Sequence, residues 1–298
     1  MFPGEGEAIL KGFINKKGKK STIICIAVVI FIVLGIWIVR GNTVIEVTLT
    51  TIVSNRLPQS FSGYVIAHVS DLHNAEFGKG NSELLQKLED GNPDIIVITG
   101  DLADSRHTDI DIAVKFANEA MKIAQVYYVT GNHEARLDGY DRLETGLTDA
   151  GVIVLRDEVH RIERSNEEIL LIGLDDPGFA LKSNWFGETQ AMINAKLKNL
   201  NADRNTFSVL LSHRPELFEI YAGNQIDLVL SGHTHGGQIR LPFIGALVAP
   251  DQGFFPKYDA GLFHSGNTKM IVSRGLGNSI IPVRVNNRPE LVIVTLEK

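Results

Sequence analysis

The stretch SGHTHGGQ, residues 231–238, sets His233 and His235 two apart among Gly232, Gly236 and Gly237. Imidazoles at i and i+2 project to the same side of an extended backbone, an arrangement that suits a metal. Four other short stretches carry donors of similar type. HVSDLH supplies Asp71 and His73, ITGDLAD supplies Asp101 and Asp104, VTGNHE supplies Asn132, His133 and Glu134, and LLSHRP supplies His213. Asp, Asn and His are what a first-row divalent metal takes from a protein that offers no thiolates. The single cysteine, Cys25, excludes an internal disulfide framework and a Cys-based zinc site. Asp71, His73, Asp101, Asn132, His213, His233 and His235 outnumber the three or four ligands of one catalytic metal and fit two. Two metals bridged by a carboxylate, ~3.5–4 Å apart, can clamp the attacking and leaving oxygens of an in-line displacement at phosphorus.

The elements around these stretches decide whether they can meet. Each follows an apolar, β-branched run: YVIAHVS, DIIVITG, VYYVTG, FSVLLS and IDLVLSG, with EILLIGL in the same style. Runs of this kind fit strands buried on both faces. Between them lie helix-like segments such as NSELLQKLED, TDIDIAVKFANEAMKIA and ETQAMINAKLKNL. In the second, Ile110, Val114, Ala117, Met121 and Ala124 fall at helical spacing. The chain therefore reads as α/β, with a mostly parallel first half and an antiparallel half past residue 236. Residues just past the carboxyl ends of parallel strands gather at one rim, where sites form.

In order and spacing, DLH, GDLAD, GNHE, SH and GHTH resemble the signature of the calcineurin-like metallophosphoesterase family, from about residue 60 to the C-terminus. GLDDP, HGGQIRLP and SRGLGNSIIPVRVNNRPEL resemble a bacterial branch whose members are often membrane-anchored. The resemblance implies a four-layer α/β/β/α sandwich of two mixed sheets. It also implies two divalent metals, Mn, Fe or Zn. Asp71, His73, Asp101 and His235 would hold the first, with Asp101 bridging, and Asn132, His213 and His233 the second. A metal-bridging hydroxide attacking phosphorus is the implied chemistry, with His133 as the acid that protonates the leaving oxygen. Asp104 matches the position that orients this histidine in some relatives, although it could equally cap the next loop. Glu134 stays open. Arg106, Arg136, Arg214 and Arg240 follow motifs closely and are candidates for substrate phosphate, against a default of solvated surface. The glycines around His233 are expected to let backbone and phosphate approach closely. His107, His160 and His264 match no motif and read as structural, and Asp175 and Asp176 as a turn.

One segment departs from globular composition. Residues 21–39, STIICIAVVIFIVLGIWIV, contain no charge, and nineteen residues at about 1.5 Å each nearly match the ~30 Å hydrocarbon core. Five lysines precede the segment and only Arg40 follows closely, so the positive-inside rule keeps the N-terminus cytoplasmic and exports the rest of a single-pass cell-membrane protein. The expected organisation is a basic tail at 1–20, an anchor at 21–39, a juxtamembrane strand within 40–60 and a catalytic domain at 61–298. Six Lys/Arg against two Asp/Glu in residues 1–40 leave −10 for the remainder of a chain of net charge −6. Nucleic acid is not an expected partner of so acidic a domain. The expected substrate is a phosphoester, a phosphodiester in the favoured reading, from the envelope or a lipid. A phosphomonoester, a lipid-linked pyrophosphate and a non-catalytic scaffold are the alternatives. The aromatic segment 241–263, with Phe243, Phe254, Phe255, Tyr258 and Phe263, is expected to close the core, although a loop touching the membrane would share its composition.

Overall fold

Continuous apolar runs become strands covered on both faces. The computed structural model describes residues 5–180, 186–200, 203–278 and 282–298. The chain opens with helix α1 (Glu5–Thr43), followed by β1 (Glu46–Val53), β2 (Tyr64–Val69), α2 (Ser82–Asp90), β3 (Ile95–Thr99), α3 (Ile110–Ala120), β4 (Gln125–Val129), α4 (Tyr140–Asp149) and β5 (Ile153–Val154). Next come β6 (Glu158–Arg164), β7 (Glu167–Gly173), α5 (Phe186–Leu200), β8 (Ser208–Leu211), α6 (Phe218–Gly223) and β9 (Leu228–Ser231). Two small hairpins follow, β10 (Arg240–Leu241) with β11 (Gly245–Ala246) and β12 (Val248–Ala249) with β13 (Gly253–Phe254). The last strands are β14 (Gly261–Ser265), β15 (Thr268–Val272) and β16 (Glu290–Glu297).

Six strands in the order β1-β16-β2-β3-β4-β5 form one sheet, and six in the order β14-β15-β9-β8-β7-β6 form the other. Alternate residues of β3 show the layering. Ile95 and Val97 join a central cluster with Leu171, Val209, Leu211 and Leu230 of the second sheet, whereas Ile96 and Ile98 pack outward on Leu84, Phe116, Ala117 and Leu143 of α2, α3 and α4. The outer face of the second sheet packs Leu210 and Val229 against Leu197 of α5 and Phe218 and Tyr221 of α6. The result is the expected α/β/β/α sandwich. Shortening one of these fully buried leucines to alanine costs roughly 2–5 kcal/mol.

Within each sheet the strands that matter run parallel: β2 with β3, β3 with β4, and β8 with β9. Antiparallel pairing past residue 236 holds for the two hairpins, for β14 with β15, and for β16 with β2. It fails for β15 on β9 and for β16 on β1, both parallel. The difference arises because β15 and β16 enter the sheets between earlier strands of both directions.

The apolar helix extends further than the uncharged run. Residues Ser21–Thr43 form one span-length apolar stretch whose most apolar window is entirely unburied, unlike a helix that packs in a domain core. Of the expected basic tail, residues 1–4 lie outside the described residues and the rest continues α1. At the other end Asn42 locks onto the domain: its side-chain amide donates to the Arg284 carbonyl (3.0 Å) and accepts from the Arg284 N–H (2.6 Å). The strand expected within 40–60 is β1, paired with β16 along its whole length as an edge of the first sheet.

Candidate metal centre

Five strand ends deliver the candidate ligands to one rim. Asp71 and His73 follow β2, Asp101 follows β3, Asn132 and His133 follow β4, His213 follows β8, and His233 and His235 follow β9. One group of donor atoms lies within a single coordination radius: Asp71, His73, Asp101 and His235. His73 Nε2 and His235 Nε2 face each other at 3.1 Å, with Asp101 Oδ2 3.5 Å from the former and Asp71 Oδ1 3.4 Å from the latter. A second group is Asp101, His213 and His233. Its contacts are 3.3 Å from His213 Nε2 to Asp101 Oδ2, and 3.1 Å from the same nitrogen both to His233 Nδ1 and to Asn132 Oδ1. Ligands about 2.0–2.1 Å from a tetrahedral ion sit roughly 3.3 Å from one another, so both groups fit a divalent metal. Asp101 Oδ2 belongs to both.

The outer contacts of the histidines give the same answer. A ligating imidazole usually donates its other N–H to a carbonyl or carboxylate, which fixes the tautomer. His213 Nδ1 lies 2.8 Å from the Thr99 carbonyl, His235 Nδ1 3.2 Å from the Gly277 carbonyl, and His233 Nε2 2.9 Å from Asp251 Oδ2. In each case the nitrogen left with a lone pair is the one that faces the cluster. Burial lowers His73 to about 3 and His233 to about 4, and holds His235 well below the usual imidazole range. These three rings are neutral, as ligands must be. Burial pushes the Asp71 carboxyl up to about 6. His213 differs: burial pulls it down, but the carboxylates of Asp101, Asp71 and Asp176 together outweigh burial and raise it to about 10. In turn, burial raises the Asp101 carboxyl, but His213, His73 and His133 together outweigh burial and hold it well below its ordinary value. Without metal, an imidazolium at His213 balances the acid at the centre.

The backbone bears a cost here. Asp71, His73, Asp101, His233 and His235 all have φ between 48° and 71°, the left-handed region that costs L-residues of order 1–3 kcal/mol each when the surroundings impose it. Glu134 is part of what imposes it. Its buried carboxylate accepts the backbone N–H groups of Asp101 (2.8 Å), Ala103 (3.1 Å) and Gly131 (2.7 Å), tying the β3 and β4 rim loops together. Burial and Asp101 push its pKa up to about 7. Behind Asp71 runs a chain of hydroxyls from the core. His68 Nε2 lies 2.8 Å from Thr99 Oγ1, which donates to Ser70 Oγ (2.9 Å), which donates to Asp71 Oδ2 (2.6 Å). Neither role is legible in a sequence, because each depends on strands meeting across the sheet.

Several expectations change. His133 Nδ1 faces the Ser105 N–H at 3.1 Å and therefore accepts, which places the ring proton on Nε2. Asp104 Oδ1 is 3.3 Å from the same nitrogen, where it can accept only when the ring is the imidazolium, since in the neutral ring Nδ1 accepts from Ser105. The Asp104 carboxylate also caps the Arg106 N–H (2.8 Å) and takes the Arg106 guanidinium in a fork at 3.1 and 3.0 Å. Burial raises the Asp104 carboxyl, the Arg106 contacts outweigh it, and the balance is about 2. Arg106 is thus paired with Asp104, and Asp259 holds Arg240 in the same way at 3.0 Å. Arg136 is exposed, its Nε donating to the Asn132 carbonyl (3.0 Å), and among the described residues it has no carboxylate partner. Arg214 is buried, not surface: it forks onto Asp176 at 2.6 and 3.1 Å and reaches Asp251 at 2.5 Å. Asp176 does make the expected turn, accepting from the Gly178 N–H, and holds Arg214 as well. Gly232 lies against Ser70 and Asp71, where any Cβ would collide; the close approach is to protein, not to a phosphate. His107 and His264 are exposed, while His160 packs on Tyr127 with ring centroids 5.1 Å apart.

Residues 64–237 match the family described as "Calcineurin-like phosphoesterase". The chain is 30% identical over 261 residues to the metallophosphoesterase YkuE of Bacillus subtilis (strain 168), covering 85% of this chain and 86% of that one. It is 30% identical over 251 residues to a metallophosphoesterase of Aquifex aeolicus (strain VF5), covering 83% and 90%. A Danio rerio relative named "Transmembrane protein with metallophosphoesterase domain" is 29% identical over 255 residues, covering 82% of this chain and 55% of that protein. By strand-end chemistry, fold and kinship together, this chain belongs to the calcineurin-like phosphoesterase family.

Proposed function

We propose that the chain is a membrane-anchored phosphoesterase that works with two divalent ions, Mn, Fe or Zn, and hydrolyses a phosphodiester outside the cytoplasm. The observation that carries the two-metal reading is the sharing of one oxygen: Asp101 Oδ2 lies 3.5 Å from His73 Nε2 and 3.3 Å from His213 Nε2. Bound ions would supply an activated water and neutralise charge developing on phosphorus. The residues supply the rest. Asp71, His73 and His235 on one side, and Asn132, His213 and His233 on the other, fix the positions of the charges. In its neutral form His133 carries its one proton on Nε2, because the Ser105 N–H occupies Nδ1; to protonate a leaving oxygen it must act as the imidazolium, with a second proton on Nδ1 facing Asp104. Burial disfavours that charged form while Asp101 and Asp104 beside the ring favour it, so the imidazolium, once formed, is an acid stronger than a free imidazolium.

Charge favours a diester over a monoester. Three of the four candidate arginines, Arg106, Arg214 and Arg240, are paired with Asp104, Asp176 and Asp259, which leaves Arg136 alone to add to the metals and supports the single charge of a diester over the two of a monoester. The anchor reading is supported by the unburied apolar stretch Ser21–Thr43 and the lysines ahead of it. The test is direct. Metal per chain is measured after dialysis, and turnover is followed on a bis-aryl phosphodiester and the matching monoester, with Mn²⁺ or Zn²⁺ added and then chelated. Two equivalents of metal with diester turnover are expected. One equivalent, or no turnover on either ester with both sites filled, would refute the reading. Reporter fusions after residue 60 active only in the cytoplasm would refute the topology.

A further inference from the structure

The segment from β10 through Phe255 is not the core closure that its composition suggested. Ala246, Ala249 and, further on, Tyr258 are buried, but Phe243, Ile244, Phe254 and Phe255 stand exposed. Phe243 has no protein cover at all, at 109% of its reference area. Phe243 and Phe255 also adopt left-handed backbone angles, φ 66° and 53°, which bulky residues avoid. Apolar rings held outward at a conformational cost call for a partner.

Two attachments say where that partner lies. At its root the segment joins the exit of the apolar helix. Arg240 N–H donates to the Val285 carbonyl (3.1 Å), Ile239 bridges Val285, and the neighbouring Arg284 is the residue that Asn42 grips. Trp37 and Arg40 of the helix line one cavity with Asn286, Asn287 and Arg288. At the turn of the second hairpin, Asp251 reaches back to His233 (2.9 Å) and Arg214 (2.5 Å). The segment therefore connects the point where the apolar helix ends to the rim where the ligands converge.

We propose that the hairpins of residues 240–255 seat their exposed rings in the lipid–water interface beside the span, so that the centre opens onto the bilayer surface and takes a phosphoester headgroup whose chain stays in the membrane. This rests on the phosphoesterase and anchor readings above. Aromatic rings are favoured at that interface. An acidic domain gains nothing from anionic headgroups, so ring burial supplies the attraction.

The test uses the full chain in phosphatidylcholine vesicles. One aryl phosphoester is offered in two forms, free in solution and linked to a diacylglycerol. The double variant Phe254→Ser, Phe255→Ser should lose about tenfold or more on the lipid form, because interfacial seating scales with apolar area. On the soluble form it should stay within about twofold of the parent, as exposed-surface changes do. Equal losses on both forms, or none on the lipid form, would overturn the proposal. A second arm needs no catalysis. Phe243→Cys in a Cys25→Ala background, labelled with a fluorophore, should be quenched by spin-labelled lipid, and unquenched fluorescence would overturn the proposal. Absence of turnover by the parent on either ester would sink the phosphoesterase reading alone, and release of the chain by alkaline carbonate the anchor reading alone, since quenching still decides the hairpins.

Discussion

The metal rim and the hairpins that follow it are neighbours in sequence, and they spend conformational strain in opposite ways. At the rim, left-handed Asp71, His73, Asp101, His233 and His235 are buried and cross-braced by Glu134, Ser70, Thr99 and Gly277. In the hairpins, left-handed Phe243 and Phe255 are exposed and braced by little. Strain over-determined by hydrogen bonds yields a fixed ligand geometry. Strain left uncovered yields apolar surface available to something other than this chain. A contiguous stretch can thus hold one half rigid for chemistry and the other open for contact.

The largest expected effect comes from breaking the rim at its shared oxygen. Asp101→Asn should drop turnover to background and release metal, because an amide cannot bridge two cations; normal activity with two metals bound would end the assignment. His133→Ala should keep its metal and lose roughly 10²–10⁴-fold on esters with poor leaving groups. An aryl ester with a good leaving group should suffer less, and equal losses on both would remove His133 as the acid. Asp251→Ala sits where the two regions touch. It should weaken metal binding by roughly 10–100-fold, the usual cost of losing an outer partner of a ligating histidine; an unchanged metal affinity would show that the hairpins merely lie beside the rim.

A pH effect follows from His213. In the metal-free protein it carries a proton up to about pH 10, held there by Asp101, Asp71 and Asp176 together against the pull of burial. Ligation requires the neutral ring, so metal binding at neutral pH releases this proton. Apparent affinity should rise about tenfold per pH unit between 7 and 9, read by calorimetry in buffers of different ionisation enthalpy. Affinity independent of pH would mean that His213 is already neutral. The smallest effect belongs to the hairpins. Phe243→Ser should shift unfolding free energy by no more than about 0.5 kcal/mol, against several for a core phenylalanine. A large drop in melting temperature would show that the ring is buried after all.

What could be read in advance depended on range. Strands buried on both faces write themselves as β-branched runs, and a ligand just past a strand end needs only the parallel sheet to find its partners. The seven candidate ligands were legible for that reason. Asp251 was not, because nothing local links a proline-flanked turn to a histidine 18 residues earlier. Arg214 looked like surface because the acids that bury it, Asp176 and Asp251, lie 38 and 37 residues away. Asp104 sits at the spacing of an orienting acid, but nothing in the letters shows that the Ser105 N–H shares its His133 nitrogen or that Arg106 shares its carboxylate. Composition misled for the aromatic segment, since rings bound for a core and rings bound for an interface look alike as letters.

The pairing of β1 with β16 has a practical side. The last long strand is flanked by β1 on one side and β2 on the other, so the piece of chain nearest the apolar helix is a structural wall, not a leash. A version freed of the helix by cutting between Thr43 and Glu46 keeps that wall and gives up the Asn42 clasp on Arg284, about 1 kcal/mol per hydrogen bond, and the cavity wall that Trp37 and Arg40 supply. Cutting at residue 61 strips β1 away and leaves eight residues of β16, from Glu290 to Glu297, as a bare edge that invites other strands to pair. The first form should stay in solution and the second should clump.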